Sequence, residues 1–318
     1  MLNYRLRPIT CQVYLVQCGL HDYIAIDNAK PLTHNKPMNI LTTDKRVAVI
    51  SALVEGCSIR STVRMTGVAK DTVLKLLKAV GQACLEYQDA VLRNLPCKRL
   101  ECDEIWCFCY AKDKNLPEHM RHTQGVGSMW TWTALDAESK LMVSWRLGNR
   151  DAANAWAFIG DVKDRLANRV QLTTDGNRLY LEPIEHYLGG KCDYAQLIKQ
   201  FGNEDPDTKY SPGKCLGTKK KQVDGLPDED LISTSYAERQ NLNIRMKNRR
   251  FTRLTNAFSK KAENLAYSIA LDFMHHNFVR KHMTLKTTPA RYIGLENRTW
   301  TIRDIVELLP AACHKERF

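Results

Sequence analysis

Residues 1 to 37 show no clean hydrophobic period, and a well-punctuated helical pattern begins just after Met38. That contrast suggests Met38 as the natural start, with the leading segment an upstream translation artefact or a loose arm. From Thr42 or Thr43, either of which can cap a helix, Val47, Ile50, Leu53 and Val54 recur at helical spacing until Glu55-Gly56. A second short helix is expected from Ser58 to Met65, a break at Gly67, and a third helix from about Ala69 with Val73, Leu76, Leu77 and Val80 on its apolar face. Helix, helix, glycine turn, helix is the outline of a helix-turn-helix DNA reader. In such a unit Lys70, Asp71, Thr72 and Lys75 enter the major groove, with Arg60 and Arg64 near the backbone. A plain three-helix packing module gives the same pattern.

After Leu95-Pro96 the texture turns to strands. Leu100 to Tyr110 is aromatic and apolar, and two runs, Ser128 to Leu135 and Leu141 to Leu147, flank the turn Asp136-Ala137-Glu138-Ser139 as a hairpin. Trp130, Trp132 and Trp145 are expected to fill the sheet's core face. A helix over Asp151 to Leu166 leads to a short strand, Arg169 to Thr173, ending at Thr174-Asp175-Gly176. The segment 203 to 230 reads as an exposed loop-like insertion, in which Lys219-Lys220-Lys221 is a solvated face unless DNA crosses it. Helices are expected from Tyr236 to Arg249 and from Ser259 to Lys281, joined by a basic turn through Arg253. This order describes an α/β domain, a mixed sheet with helices on its faces, over residues 96 to 292. It follows a small all-α unit over 38 to 95 and leaves a tail over 293 to 318.

The chain has 318 residues, with 47 Lys+Arg against 35 Asp+Glu, a formal charge of +12 and a pI of about 9.2. That excess favours a polyanionic partner, most simply nucleic acid. The longest uncharged stretches, Pro8 to Leu20 and Thr123 to Leu135, are 13 residues, short of the ~18 a membrane span needs. A soluble, cytoplasmic, nucleoid-associated protein without a membrane anchor is the expectation. The eleven cysteines include no CxxC pair, which suits reduced thiols. Cys107 and Cys109 share one face of a strand and are read as core residues in preference to zinc ligands.

Three acidic residues stand out by context. Asp103 lies inside an apolar strand, Asp175 at a strand's end and Glu238 in a helix's first turn. A carboxylate buried alone costs several kcal/mol, so Asp103 needs a cation or a hydrogen-bond network. Alternation sends Asp103 and the following Glu104 to opposite faces, so only one is expected to serve a site, and Asp103 is preferred. Three carboxylates suit hard cations such as Mg²⁺ or Mn²⁺. A protein with 35 acidic residues always contains some triple that can be connected, so spacing alone leaves the triad open.

The strings "ECDEIWCFCYAKDKN", "TTDGNRLY" and "TSYAERQNLNIRMKNRRFTRLTNAFSKKAENLAYSIALDFMHHNFVRKHMTLKTTPA" closely resemble the catalytic region of bacterial and archaeal insertion-sequence transposases, particularly the insertion-sequence-one type. With "LTTDKRVAVISALVEGCSIRSTVRMTGVAKDTV", the resemblance spans roughly residues 38 to 292. It implies an RNase H-like catalytic fold in which Asp103, Asp175 and Glu238 hold two Mg²⁺ or Mn²⁺ ions, and an enzyme that cleaves the terminal inverted repeats of a mobile element and joins them to target DNA. It also implies a homo-oligomer. The separations of 72 and 63 residues fit that fold with an insertion in the second interval. Some relatives carry a paired-cysteine zinc module ahead of the helix-turn-helix; this chain lacks it, and no zinc is expected.

Between Ser233 and Tyr292 there are 12 basic and 3 acidic residues. Arg239, Arg245, Lys247, Arg249, Arg250 and Arg253 suit phosphate contact, and Gln240 and Asn241 suit a base edge or terminal nucleotide. The shortage of acids at i±4 makes simple salt-bridged solvation less convincing. His275, His276 and His282 are read as helix-face or phosphate-contact residues. Two rival functions stay open: a nuclease or resolvase of the same fold, and a catalytically inactive DNA-binding regulator derived from a transposase.

Overall fold

The computed structural model describes residues 41–202, 215–252 and 255–309. The proposed leader over 1 to 37, part of the insertion, Arg253 and the end of the tail lie outside the described residues.

The described residues open with three helices: α1 (Thr43–Val54), α2 (Ile59–Thr66) and α3 (Lys70–Val91). The Thr42 and Ser58 side chains accept backbone N–H groups at the starts of α1 and α2, and Gly67 ends α2 in the left-handed conformation. The boundaries therefore fall within two residues of those expected from the caps.

Next come β1 (Arg99–Cys109), β2 (Gly127–Asp136), β3 (Met142–Gly148), α4 (Ala152–Arg165), β4 (Val170–Asp175), α5 (Leu181–Leu188), β5 (Cys192–Phe201) and β6 (Cys215–Asp224). The strand order is β3-β2-β1-β4-β5-β6. β1 runs antiparallel to β2 and parallel to β4, β4 is parallel to β5, and β6 returns antiparallel beside β5. Three strands in an antiparallel meander followed by two parallel strands make the mixed α/β sheet of an RNase H-like fold. The loop-like reading of residues 203 to 230 is corrected in part, because β6 is a ten-residue strand within it. Its lysine run hides any apolar alternation, and pairing with β5 overrides its weak strand preference.

Among the described residues four helices follow: α6 (Ser235–Lys247), α7 (Ala262–Met274), α8 (Pro289–Tyr292) and α9 (Ile302–Glu307). α7 continues through a π-helical turn, His275–Val279. Every residue from Leu265 to Met274 is buried, as befits a helix apolar on all sides. One flank of α7 joins Ile105, Met129, Leu147 and Ile244 on the sheet side; the other joins α3. The contact with α3 is close: a Cβ on Gly81 would lie 2.5 Å from the Tyr267 Cβ. The opposite sheet face is covered by α4 and α5, where Trp132 is fully buried with its ring centroid 6.0 Å from that of Phe158 and 5.5 Å from that of Tyr180. α9 packs Ile305 and Val306 into the core that α1 enters with Val49 and Ile50. Among the described residues no helix is long and apolar enough to cross a membrane.

Candidate active site

The parallel ladder between β1 and β4 runs from Arg99 opposite Gln171 to Cys102 opposite Thr174 and stops there. Asp103 and Asp175 are the next residues on each strand. Neighbours in register on parallel strands project to the same face. The two acids therefore meet at the carboxyl edge of the sheet, where α/β folds commonly place ligands.

Glu104 joins them. One oxygen each from Asp103, Glu104 and Asp175 lie within 4.8 Å of one another. This corrects the expectation that only one of Asp103 and Glu104 serves the site. Asp103 Oδ1 accepts the Glu104 backbone N–H at 2.8 Å, which folds its carboxylate along its own strand. Asp175 is the last residue of β4, one past the β1–β4 ladder though still paired with Leu197 of β5, and its carboxylate comes within reach of both neighbours on β1. Glu104 is also not on a polar side: its side chain is 1% exposed, and Arg150 donates to its Oε2 from Nε at 3.2 Å and Nη2 at 3.1 Å. The same Nη2 stands 3.7 Å from Asp175 Oδ2, and the guanidinium lies 4.9 Å from the centroid of the Trp130 ring. Asn177 donates its side-chain amide to Glu104 Oε1 at 3.1 Å and its backbone N–H to Asp175 Oδ1 at 3.0 Å.

α6 carries the third expected acid, Glu238, which stands nearby but is not one of the three carboxylates that converge. Its N-cap residue, Thr234, makes no side-chain cap. Glu101 supplies one from the sheet: its Oε2 accepts the backbone N–H groups of Tyr236 at 2.8 Å and Ala237 at 2.9 Å. A carboxylate at a helix N-terminus satisfies donors that lack intrahelical partners and meets the positive end of the dipole. Glu238 follows in the first turn, where Oε1 accepts from Thr234 Oγ1 at 2.6 Å and pairs with Lys199 Nζ at 2.5 Å. One turn on, Asn241 donates from Nδ2 to Asp103 Oδ2 at 2.8 Å. The Asn241 Oδ1 atom is buried and has no hydrogen-bond partner among the described residues.

These acids repel one another. Burial pushes the Asp103 carboxyl up to about 7; the Glu104 N–H opposes the shift, while Glu104, Asp175 and Glu238 add to it. Glu104 is raised by burial and by Asp175, against Arg150 and Asn177. Burial also lifts Glu101 to about 7, although the Ala237 and Tyr236 amides and Lys140 favour its charged form.

The residues expected to contact DNA divide into groups. Arg60, Lys70 and Lys75 are exposed on α2 and α3, with Thr72 partly buried beside them. Arg239 and Arg249 are exposed, while Asn241 faces Asp103. Arg245 donates to the Phe251 carbonyl at 3.4 Å, and Lys247 is partly buried near Glu55 and Asp272. Arg250 turns inward: Nε reaches Ser259 Oγ and Nη1 reaches Ser268 Oγ, each at 2.9 Å, and burial lowers its guanidinium to about 10. It therefore ties the basic turn to α7, and phosphate contact is not its position here. Gln240, His275 and His276 are likewise buried, which corrects the base-edge and phosphate readings given to them. Glu101, Arg150, Asn177 and Lys199 were not singled out in the sequence. Only Glu101 had a legible sign, since it alternates with Asp103 on one strand face.

No known sequence family and no curated protein matches this chain. Among solved structures it is similar to a piggyBac transposase synaptic complex with hairpin DNA, at TM-score 0.36 and 9% identity, over 88% of this chain and 73% of that one. A second is a pre-cleavage Mos1 transpososome, at TM-score 0.24 and 10% identity, over 77% of this chain and 80% of that one. Likenesses this loose carry no argument about chemistry, which rests on the site itself.

Proposed function

We propose that this chain is a DDE-type DNA transposase, in which Asp103, Asp175 and Glu238 serve metal-dependent strand cleavage at the ends of a mobile element and transfer of the freed ends into target DNA. The observation that carries the reading is the end of the β1–β4 ladder, which puts Asp103 beside Asp175 under the helix that bears Glu238. The converging donors, one oxygen each from Asp103, Glu104 and Asp175, fit a hard divalent cation, the orphaned Asn241 Oδ1 adds a neutral oxygen beside Asp103, and Glu238 would reach the ion from α6. When bound, two Mg²⁺ or Mn²⁺ ions activate the attacking oxygen and stabilise the leaving oxygen of an in-line displacement.

The chain's own residues do the rest. Glu101 fixes the start of α6, so Glu238 and Asn241 keep their distance from Asp103. Asn177 and Arg150 hold Glu104 and Asp175 at the rim. Exposed Arg239 and Arg249 on the same basic stretch offer forked hydrogen bonds to phosphate. In the same reading α2 and α3 form the helix-turn-helix that selects the element ends through Arg60, Lys70, Thr72 and Lys75. Two ends cut together call for two copies of the chain.

The test is cleavage and joining of labelled DNA carrying the element ends, with Mg²⁺ or Mn²⁺ and with EDTA. The reading expects metal-dependent nicking and joining in the wild type and loss of both, with DNA binding kept, in Asp103→Asn, Asp175→Asn and Glu238→Gln. Cutting without joining would support a nuclease or resolvase instead. Binding without any metal-dependent cutting would support a regulator.

A further inference from the structure

β4 pairs with β5 only as far as Asp175 opposite Leu197. Beyond Leu197, Ile198 to Phe201 pair with β6 alone, opposite Lys219, Thr218, Gly217 and Cys215. A two-stranded ribbon therefore projects ~13 Å past the last β4 residue, at ~3.3 Å per residue, from the rim that carries Asp103 and Asp175. Its root is the acidic site itself, because Lys199 on the ribbon pairs with Glu238.

The ribbon has the wrong surface for a core element. Eight of the ten β6 residues are exposed, and Gly217 and Asp224 are partly so. An isolated two-stranded ribbon is marginal in water, so one without an apolar underside needs another reason to persist. Its charge supplies a candidate. Lys219, Lys220 and Lys221 are consecutive, no acid precedes Asp224 in the strand, and among the described residues none of the three has a carboxylate partner; Lys220 Nζ donates to the Glu229 carbonyl. Lys219, opposite Ile198, stands on the projecting part; Lys220 and Lys221, opposite Leu197 and Gln196, stand at its root, where β5 still pairs with β4. Lys219 and Lys221 project from one face of β6 ~6.6 Å apart, close to two axial steps of ~3.4 Å on one DNA strand. Lys220 projects from the other face, toward the Glu229 carbonyl.

We propose that the β5–β6 ribbon is a DNA-binding arm, on which Lys219 and Lys221 grip the phosphate backbone of the duplex that Asp103, Asp175 and Glu238 cut. This rests on the transposase reading for the identity of the duplex. The grip is to phosphate, so it adds affinity and carries no base preference.

The test is the salt dependence of DNA binding. Removing one lysine–phosphate interaction lowers the slope of log K against log salt by about 0.9. Replacing Lys219 and Lys221 by glutamine is expected to lower the slope by about 1.8. Between 50 and 200 mM salt the wild type should then lose about 12-fold more affinity than the variant. A charge-matched control replaces Lys98 and Lys163, exposed and away from the ribbon, by glutamine and should leave the slope unchanged. If the ribbon double variant does not fold by circular dichroism, Lys219→Gln alone should lower the slope by about 0.9. Equal slopes for ribbon and control variants would overturn the proposal. So would self-association of the ribbon variant with an unchanged slope, since the lysines would then be guarding a free sheet edge. A slope that depends on the ribbon in a wild type that never cuts would leave the arm standing and sink the transposase reading. Cutting with a slope indifferent to the ribbon would do the reverse.

Discussion

Replacing Glu101 by glutamine and by alanine separates its charge from its hydrogen bonds. The residue is 3% exposed, and its carboxylate accepts two amides at the start of α6. Its folded pKa of about 7 lies above the ordinary 4.5, so the folded state holds the proton more tightly than the unfolded chain. The stability tied to that proton is present in full below pH 4.5 and is lost as pH rises through 7. The shift of roughly 2.5 units at about 1.36 kcal/mol per unit caps the loss near 3.4 kcal/mol, and structural relaxation reduces it to about 1–3 kcal/mol. Glutamine keeps an acceptor for the amides and has no charge to bury. Glu101→Gln is therefore expected to match the wild type near pH 5 and to exceed it by about 1–3 kcal/mol at pH 8, or roughly 2–6 °C in melting temperature. Glu101→Ala leaves the Tyr236 and Ala237 N–H groups without acceptors, at about 1–3 kcal/mol each, and should melt well below Glu101→Gln at every pH. Thermal unfolding followed by circular dichroism in EDTA from pH 5 to pH 8 reads both. Coincident melting of the two variants, or a glutamine variant less stable than wild type at pH 8, would refute the reasoning.

Other consequences follow from close approaches and from the acidic site. Gly81→Ala should cost about 1–3 kcal/mol, because its Cβ would meet the Tyr267 backbone and force α3 from α7; an unchanged urea midpoint would contradict that packing. Gly56 has φ +84°, and a Cβ there would lie 2.7 Å from the Lys247 carbonyl oxygen at the end of α6. Gly56→Ala should therefore destabilise by about 2–4 kcal/mol, and a melting temperature equal to wild type would count against the contact. Mn²⁺ binding by calorimetry should release a proton near pH 7 and weaken about 50-fold from pH 7 to pH 5, since the cation displaces the proton that Asp103 holds with a pKa of about 7. Binding indifferent to pH would place the ion elsewhere.

Much of the fold was legible because its punctuation is local. Thr42, Ser58, Gly67 and Asp151 mark helix ends by side-chain caps or a left-handed turn, and the hairpin turn lies between two apolar runs. β5 and β6 were not legible, since neither shows a strong alternation and each is a strand through its neighbour. Asp103 and Asp175 stood out because an acid in or beside an apolar strand is costly. Their convergence with Glu104 was not foreseeable from alternation along β1 alone, because it depends on β4 ending at Asp175, beside Asp103 and Glu104. Arg150 and Lys199 reach the site from β3's exit and from β5. Only the sheet order brings those positions to the rim, and no local spacing announces it.

The proposed function requires Asp175 to touch the divalent cation that supports cleavage. Thiolate ligands favour softer metals over Mg²⁺. The direct measurement is cleavage of element-end DNA by Asp175→Cys in Mg²⁺, Mn²⁺ and Cd²⁺, with DNA binding verified in each. Direct ligation by Asp175 predicts no cleavage in Mg²⁺ and recovery in Mn²⁺ or Cd²⁺; a cysteine variant that cuts in Mg²⁺ as well as the wild type would contradict it.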